Sequence, residues 1–236
     1  GMGSAEEGVK NDGERMLRMV RIVGELGLKI EKRTVKSAFQ MAKNIQDLSP
    51  ARKYMELEKI LYCDKRYKDV KSNFKKILKL LNKLCVWQYF GLPVKAIKYN
   101  MVNKVEDRYL GLLIDIVDTL NPECLQTFLE NFLKKEFAFN SKQIQKVFTY
   151  ISGYYNALNG MKNKDYFFKY FEDVSVIFPL LAKKSKHITN KYMFFYEYII
   201  RHGLVIKISD LKINEDDIKN NFPKIDERSY GRILEY

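Results

Sequence analysis

"KDVKSNFKKILKLLNKLCVWQYF", residues 68–90, decides the fold. Wound at about 100° per residue, it places Lys68, Lys71, Lys75, Lys76, Lys79 and Lys83 in one arc. Val70, Phe74, Ile77, Leu78, Leu81, Leu84 and Cys85 fall in the opposite arc. A strand alternates every second residue and would mix the two sets, so the stretch reads as one amphipathic helix, the longest in the chain. Gly91 suits the left-handed position that ends such a helix, and Pro93 stops its continuation. Trp87, the single tryptophan, falls on the border of the arcs. The expectation is that it locks the helix end against neighbouring helices while the lysines stay free for a partner.

The same spacing recurs on both sides. Residues 14–24 carry Met16, Leu17, Val20 and Val23, and residues 33–47 carry Val35, Phe39, Ala42 and Ile45. Ser49-Pro50 is a helix start, a capping residue followed by proline at the first helical position. From Pro93 to Leu120 the pattern predicts one bent or two consecutive helices, and Asn121-Pro122 opens another over 122–137. Ser141 is the expected cap of 142–158. Residues 164–185 form an aromatic helix that Pro179 kinks or ends, and 189–202 stops at Gly203. "LVIKI" at 204–208 is too short and solitary to build a sheet.

The chain is therefore expected to be all-α. A HEAT-like α-solenoid or superhelix of about nine to ten helices is the first architecture, and a compact helical bundle is the alternative. With short connections and no linker, residues 14–208 are expected to form a single helical-repeat domain. A disordered tail over 1–13 precedes it, and an acidic segment with a short helix over 209–236 follows.

Composition narrows the function. The 236 residues carry a formal charge of +13. From Ser209 to Tyr236 there are 5 Lys and Arg against 7 Asp and Glu, which leaves 37 against 22 on residues 1–208. A basic body of this kind fits a phosphate-rich partner, and it also fits a solvated surface. Structured RNA or ribonucleoprotein and protein partners are expected, with no membrane partner and no preferred oligomeric state. Cys63, Cys85 and Cys124 are odd in number and lie in apolar helical patterns, so they read as buried free thiols of an intracellular protein.

No motif announces a reaction. His187 and His202 have no HExxH or cysteine partner, and His202 sits in a last helical turn, where an imidazolium suits the dipole. No glycine pattern matches a phosphate loop. Asp115 and Asp118 lie one turn apart and could hold Mg²⁺ beside phosphates; equally they could make a salt bridge or face solvent. The sequence is read as non-enzymatic, with no catalytic residue, metal or cofactor. The aromatic runs "YFFKYF" (166–171) and "FFYEY" (194–198) could stack bases, but at this density they read mainly as core. The candidate site is the basic face of 68–90: Lys68, Lys71, Lys75, Lys76, Lys79 and Lys83, six lysines able to follow a phosphate backbone without reading bases.

Four stretches, in order, carry a resemblance: "DLSPARKYMELEKIL" (47–61), "ILKLLNKLCVWQYFGLP" (77–93), "CLQTFLENFLKKEF" (124–137) and "QIQKVFTYISGYY" (143–155). Their order and intervals resemble the helical domain of the ribosomal RNA processing protein 1 family, over roughly residues 40–205. The extra tryptophans and the long basic C-terminal extension of that family are missing. The resemblance implies a non-enzymatic scaffold in pre-ribosomal RNA processing and large-subunit assembly, nuclear or nucleolar, with cytoplasm as the location without it. The competing expectation is a HEAT-type protein–protein adaptor that binds no nucleic acid.

Overall fold

The computed structural model describes residues 13–67, 74–92, 97, 100–119, 125–204, 206 and 219, with only the backbone of 125–128. All regular structure among these is helical. The helices are α1 (Gly13–Leu26), α2 (Lys32–Met41), α3 (Pro50–Leu61), α4 (Phe74–Lys83), α5 (Val86–Tyr89) and α6 (Arg108–Val117). They continue with α7 (Leu125–Phe137), α8 (Ser141–Leu158), α9 (Asn163–Tyr170), α10 (Val174–Lys184) and α11 (Lys186–His202). The chain divides into two compact units between Ile151 and Ser152, inside α8.

In the first unit α1 buries Met16, Leu17 and Val20 against α3, α4 and a 3-10 turn at Cys63–Lys65. Gly24 makes this approach possible: a Cβ there would stand 2.5 Å from Cys63 Sγ and 2.9 Å from Ile77 Cγ1. α3 packs on α6 and α7. Pairing out of chain order is not how HEAT hairpins of consecutive helices stack, so the all-α class holds without support for that repeat.

Polar clamps tie these helices together. Arg108 donates to the Leu61 carbonyl at 2.6 Å and grips Asp64 with both terminal nitrogens, at 2.5 and 2.8 Å. Its guanidinium also lies 4.2 Å from the centre of the Phe74 ring. Lys53, buried on α3, reaches Glu136 of α7 at 2.6 Å.

The predicted helix over 68–90 is two helices. Residues 68–73 lie outside the described residues, and α4 stops at Lys83. Cys85 then takes a left-handed conformation, φ 52°, and α5 follows. The reason lies in the wheel. Continued at the same pitch, Val86 and Phe90 would emerge among the lysines and Trp87 at their border; the turn at Cys85 rotates all three inward, to zero exposure. Asn82 fixes the swivel. Its Oδ1 accepts from Trp87 Nε1 at 2.6 Å and from the Ile97 amide at 3.1 Å, while its Nδ2 donates to the Ile97 carbonyl at 3.1 Å. Trp87 thus locks the helix end as expected, through a bond the periodicity does not show. Gly91, φ 77°, is left-handed as its sequence suggests. Cys85 is half-buried, not buried; Cys124 lies outside the described residues.

Other boundaries move for local reasons. Residues 100–107 form turns and irregular chain, not helix, before Asp107 caps α6 by accepting from the Leu110 amide at 3.1 Å. Asn140, not Ser141, caps α8. Its side chain accepts from the Gln143 amide at 2.9 Å and Gln143 returns the bond at 3.0 Å, a reciprocal box. In the second unit the helix expected over 164–185 breaks at a 3-10 turn, Phe171–Asp173, and Pro179 sits inside α10. Here α10 and α9 both pack on α11. Tyr166, Phe167, Tyr170 and Tyr192 are buried together; Tyr192 donates to the Met161 carbonyl at 2.6 Å and Asn156 to the Tyr170 hydroxyl at 2.7 Å. No helix among the described residues is long and apolar enough to cross a membrane. The acidic segment over 209–236, with its expected short helix at 214–221, lies outside the described residues except Lys219.

Candidate nucleic-acid interface

α4 presents its lysines as the wheel requires. Lys75, Lys76, Lys79 and Lys83 are exposed, while Phe74, Ile77, Leu78 and Leu81 are buried on the opposite side. Lys68 and Lys71 lie outside the described residues. Among the described residues Lys75, Lys79 and Lys83 form no ion pair, unlike the basic side chains that hold α1 and α3 in place. Arg66 bonds Glu25 at 2.9 Å, Arg52 reaches Glu14 at 3.4 Å, and Lys53 is consumed by Glu136. Of these three Lys53 is buried, while Arg52 and Arg66 make their pairs at the surface.

The lysine face has a neighbour that the sequence did not announce. A cavity of about 230 Å³ lies where the end of α1 turns into α2, lined by Gly27, Leu28, Ile30 and Val35 on one side. Lys76, Ile77 and Leu80 of α4 line the other. Lys32 and Lys36 lie one turn apart on α2 and Lys43 follows two turns later, all exposed. Lys29, in the connecting turn, is exposed as well. Of all these lysines Lys76 lines the concavity itself, and Val35 brings α2 to its other wall. Bases with apolar walls between them can hold a phosphate chain and give its sugars or bases a place to rest.

The acidic pair does something else. Asp115 is 2 % exposed, and its carboxylate accepts from the amides of Met101, at 2.9 and 3.0 Å, and Val102, at 3.0 Å. Burial pushes its carboxyl above the usual range, and those amides pull it back. With its oxygens turned to the backbone, Asp115 fastens the 100–105 turn to α6; Asp118 lies exposed at the helix end. No group of three His, Cys, Asp or Glu side chains that could hold a metal occurs among the described residues. Cys63 is also structural: burial, then the nearby Asp64, pushes its thiol up to about 12. His202 lies in the last turn of α11, as read, with its ring 4.3 Å from that of Tyr198.

The aromatic runs divide. Tyr166, Phe167 and Tyr170 are core as expected, but Phe168 is exposed, and in the second run Phe194 and Tyr198 face solvent. Only their positions on the finished helix distinguish them from their buried neighbours.

Comparison with known proteins bears on the same segment. Residues 27–72, which supply one wall of the cavity and the α2 lysines, match the profile of a family described as "Probable RNA and SrmB- binding site of polymerase A". Over 154 residues, 65% of the chain, the sequence is 25% identical to a CCA-adding enzyme of Bacillus velezensis. The match spans 37% of that enzyme's length. These similarities overturn two expectations. The likeness to the ribosomal RNA processing protein 1 family does not stand, and the nucleolar location and ribosome-assembly role it implied fall with it. Its landmarks were Leu-, Lys- and aromatic-rich stretches that any amphipathic helix supplies, and the first of them, 47–61, lies inside the matched segment. The expectation of a non-enzymatic protein is corrected as well, since the relative is an enzyme. Residues that hold a nucleic acid and residues that make bonds need not share a stretch, so helices without a catalytic signature were no argument against one.

Proposed function

We propose that this chain is the RNA-holding helical part of an enzyme of the CCA-adding kind. In it the lysines of α4 and α2 grip the phosphate backbone on either side of the 27–35 cavity. The observation that carries the reading is the cavity itself, lined by Gly27, Leu28, Ile30 and Val35 of the segment matching the RNA-binding family and by Lys76 of the α4 lysine face. Lysine supplies charge without a fixed fork of donors, so the grip is on backbone and tolerates many sequences.

The test is RNA binding at several salt concentrations, with the wild type beside Lys75→Glu/Lys79→Glu/Lys83→Glu. Tight binding that falls steeply with salt and collapses in the variant supports the reading. Weak binding, equal in both proteins, defeats it and leaves a solvated basic surface. The enzymatic half is tested apart, by incorporation of labelled CTP and ATP onto an RNA 3′ end.

A further inference from the structure

The solvent face of α11, in the second unit, differs from an ordinary helix surface. Phe194 is 75 % exposed and Tyr198, one turn further on, is 45 % exposed. The opposite side of the helix is anchored by buried Thr189, Tyr192 and Ile199, so the pair is held outward by packing behind it. Scattered single apolar residues on a surface need no explanation, but these two rings lie one turn apart on one face, Phe194 open to solvent and Tyr198 half-open with its ring 4.3 Å from that of His202. Bases surround them. Lys191 precedes Phe194 by one turn, Arg201 follows it by two, and both are exposed. His187 and His202 lie on the same face at the two ends, and Glu197 is the helix's one acid. Three Lys and Arg against one Glu make the helix basic, and Lys183 and Lys184 end the helix before it.

We infer that this face, Phe194 and Tyr198 flanked by Lys191 and Arg201, is a second nucleic-acid contact that stacks the bases of unpaired RNA. It rests on the RNA-holding reading above, yet it lies outside residues 27–72 and uses different chemistry. Aromatic faces accept any base and positive charge tracks the phosphates, the two components from which sequence-tolerant single-strand sites are made. A duplex keeps its bases stacked on one another and offers these rings nothing. A purely apolar protein partner would bury Lys191 and Arg201 at a cost, and the charge therefore favours an anionic occupant.

The experiment uses the whole chain, a short unpaired RNA and a duplex of the same sequence. Phe194→Ala/Tyr198→Ala should weaken binding of the unpaired RNA roughly ten- to hundredfold, leave the salt slope unchanged and leave duplex binding intact. Phe194→Trp should keep the affinity, and its emission should be quenched by RNA, with the buried Trp87 as internal background. Because both replaced rings face solvent, the thermal melts should match; if the double variant melts early, Phe194→Ala alone is compared. If both variants bind as the wild type does and the new tryptophan is silent, the inference fails. The functional reading survives that outcome provided the α4 lysine variant still loses RNA. If the wild type binds no RNA, the functional reading fails and this contact with it. A change in oligomeric state with RNA affinity unaltered would make the face a protein contact and overturn it.

Discussion

α4 and α11 are both amphipathic, both basic and both in contact with solvent, and they present different surfaces. On α4 the division is clean, with lysines outward and Phe74, Ile77, Leu78 and Leu81 inward. On α11 the division fails: Tyr192 and Ile199 point inward, but Phe194 and Tyr198 stand among the bases outside. Net charge separates them only in degree, four lysines and no acid on α4 against three Lys and Arg and one Glu on α11. Their side chains say that one surface is suited to phosphate and the other to phosphate and base, so salt and strand structure should act on them differently.

The largest effect expected is on the phosphate side. Reversing Lys75, Lys79 and Lys83 should lower RNA affinity by roughly a hundredfold near 0.1 M salt, and should reduce the salt slope by about 2 for single strands. Titrations at graded salt measure both, and an unchanged slope would erase the distinction between the helices. Next comes a control on the fold. Asp115→Ala orphans two buried amides and should cost about 3 kcal/mol in urea unfolding, with RNA affinity unchanged in the folded protein. A loss of RNA affinity with stability intact would instead place the carboxylate at the interface.

Smaller still, Asn82→Ala removes the partner of Trp87 and of Ile97 and should cost about 2 kcal/mol, again without touching the lysine face. Cys85→Gly relieves a left-handed cysteine but frees the unfolded chain, for a net gain of about 0.5 kcal/mol. In thiol labelling at mild alkaline pH, half-buried Cys85 should react well before Cys63, whose thiol is buried and pushed up to about 12.

What could be read from the sequence was what depends on neighbours in the chain. The α4 lysines, the left-handed Gly91, the Ser49-Pro50 start and the stop at Gly203 all follow from local rules, and all are present. The break at Cys85 is different. Nothing in a cysteine marks a left-handed residue; the cause is the burial of Val86, Trp87 and Phe90 and the Asn82 hub, which exist only once the chain is folded. Asp115 was misleading for the same reason, because its ligands are the amides of Met101 and Val102, and backbone groups leave no trace in sequence. Pro179 was expected to kink or end a helix; it lies inside α10, and the helix expected over 164–185 breaks at Phe171–Asp173. At the site, the lysines were legible as charge on a periodic helix, but the cavity beside them was not, since it is made by a turn from elsewhere in the chain.

The left-handed turn at Cys85 has an evolutionary consequence. It separates two registers that one continuous helix would have to share, the register of charge on α4 and the register of packing on α5. Substitutions can therefore accumulate at Lys75, Lys79 and Lys83 without retuning how Trp87 and Phe90 fit the core. The protein keeps a solvent face that can change in small steps, beside an interior left alone.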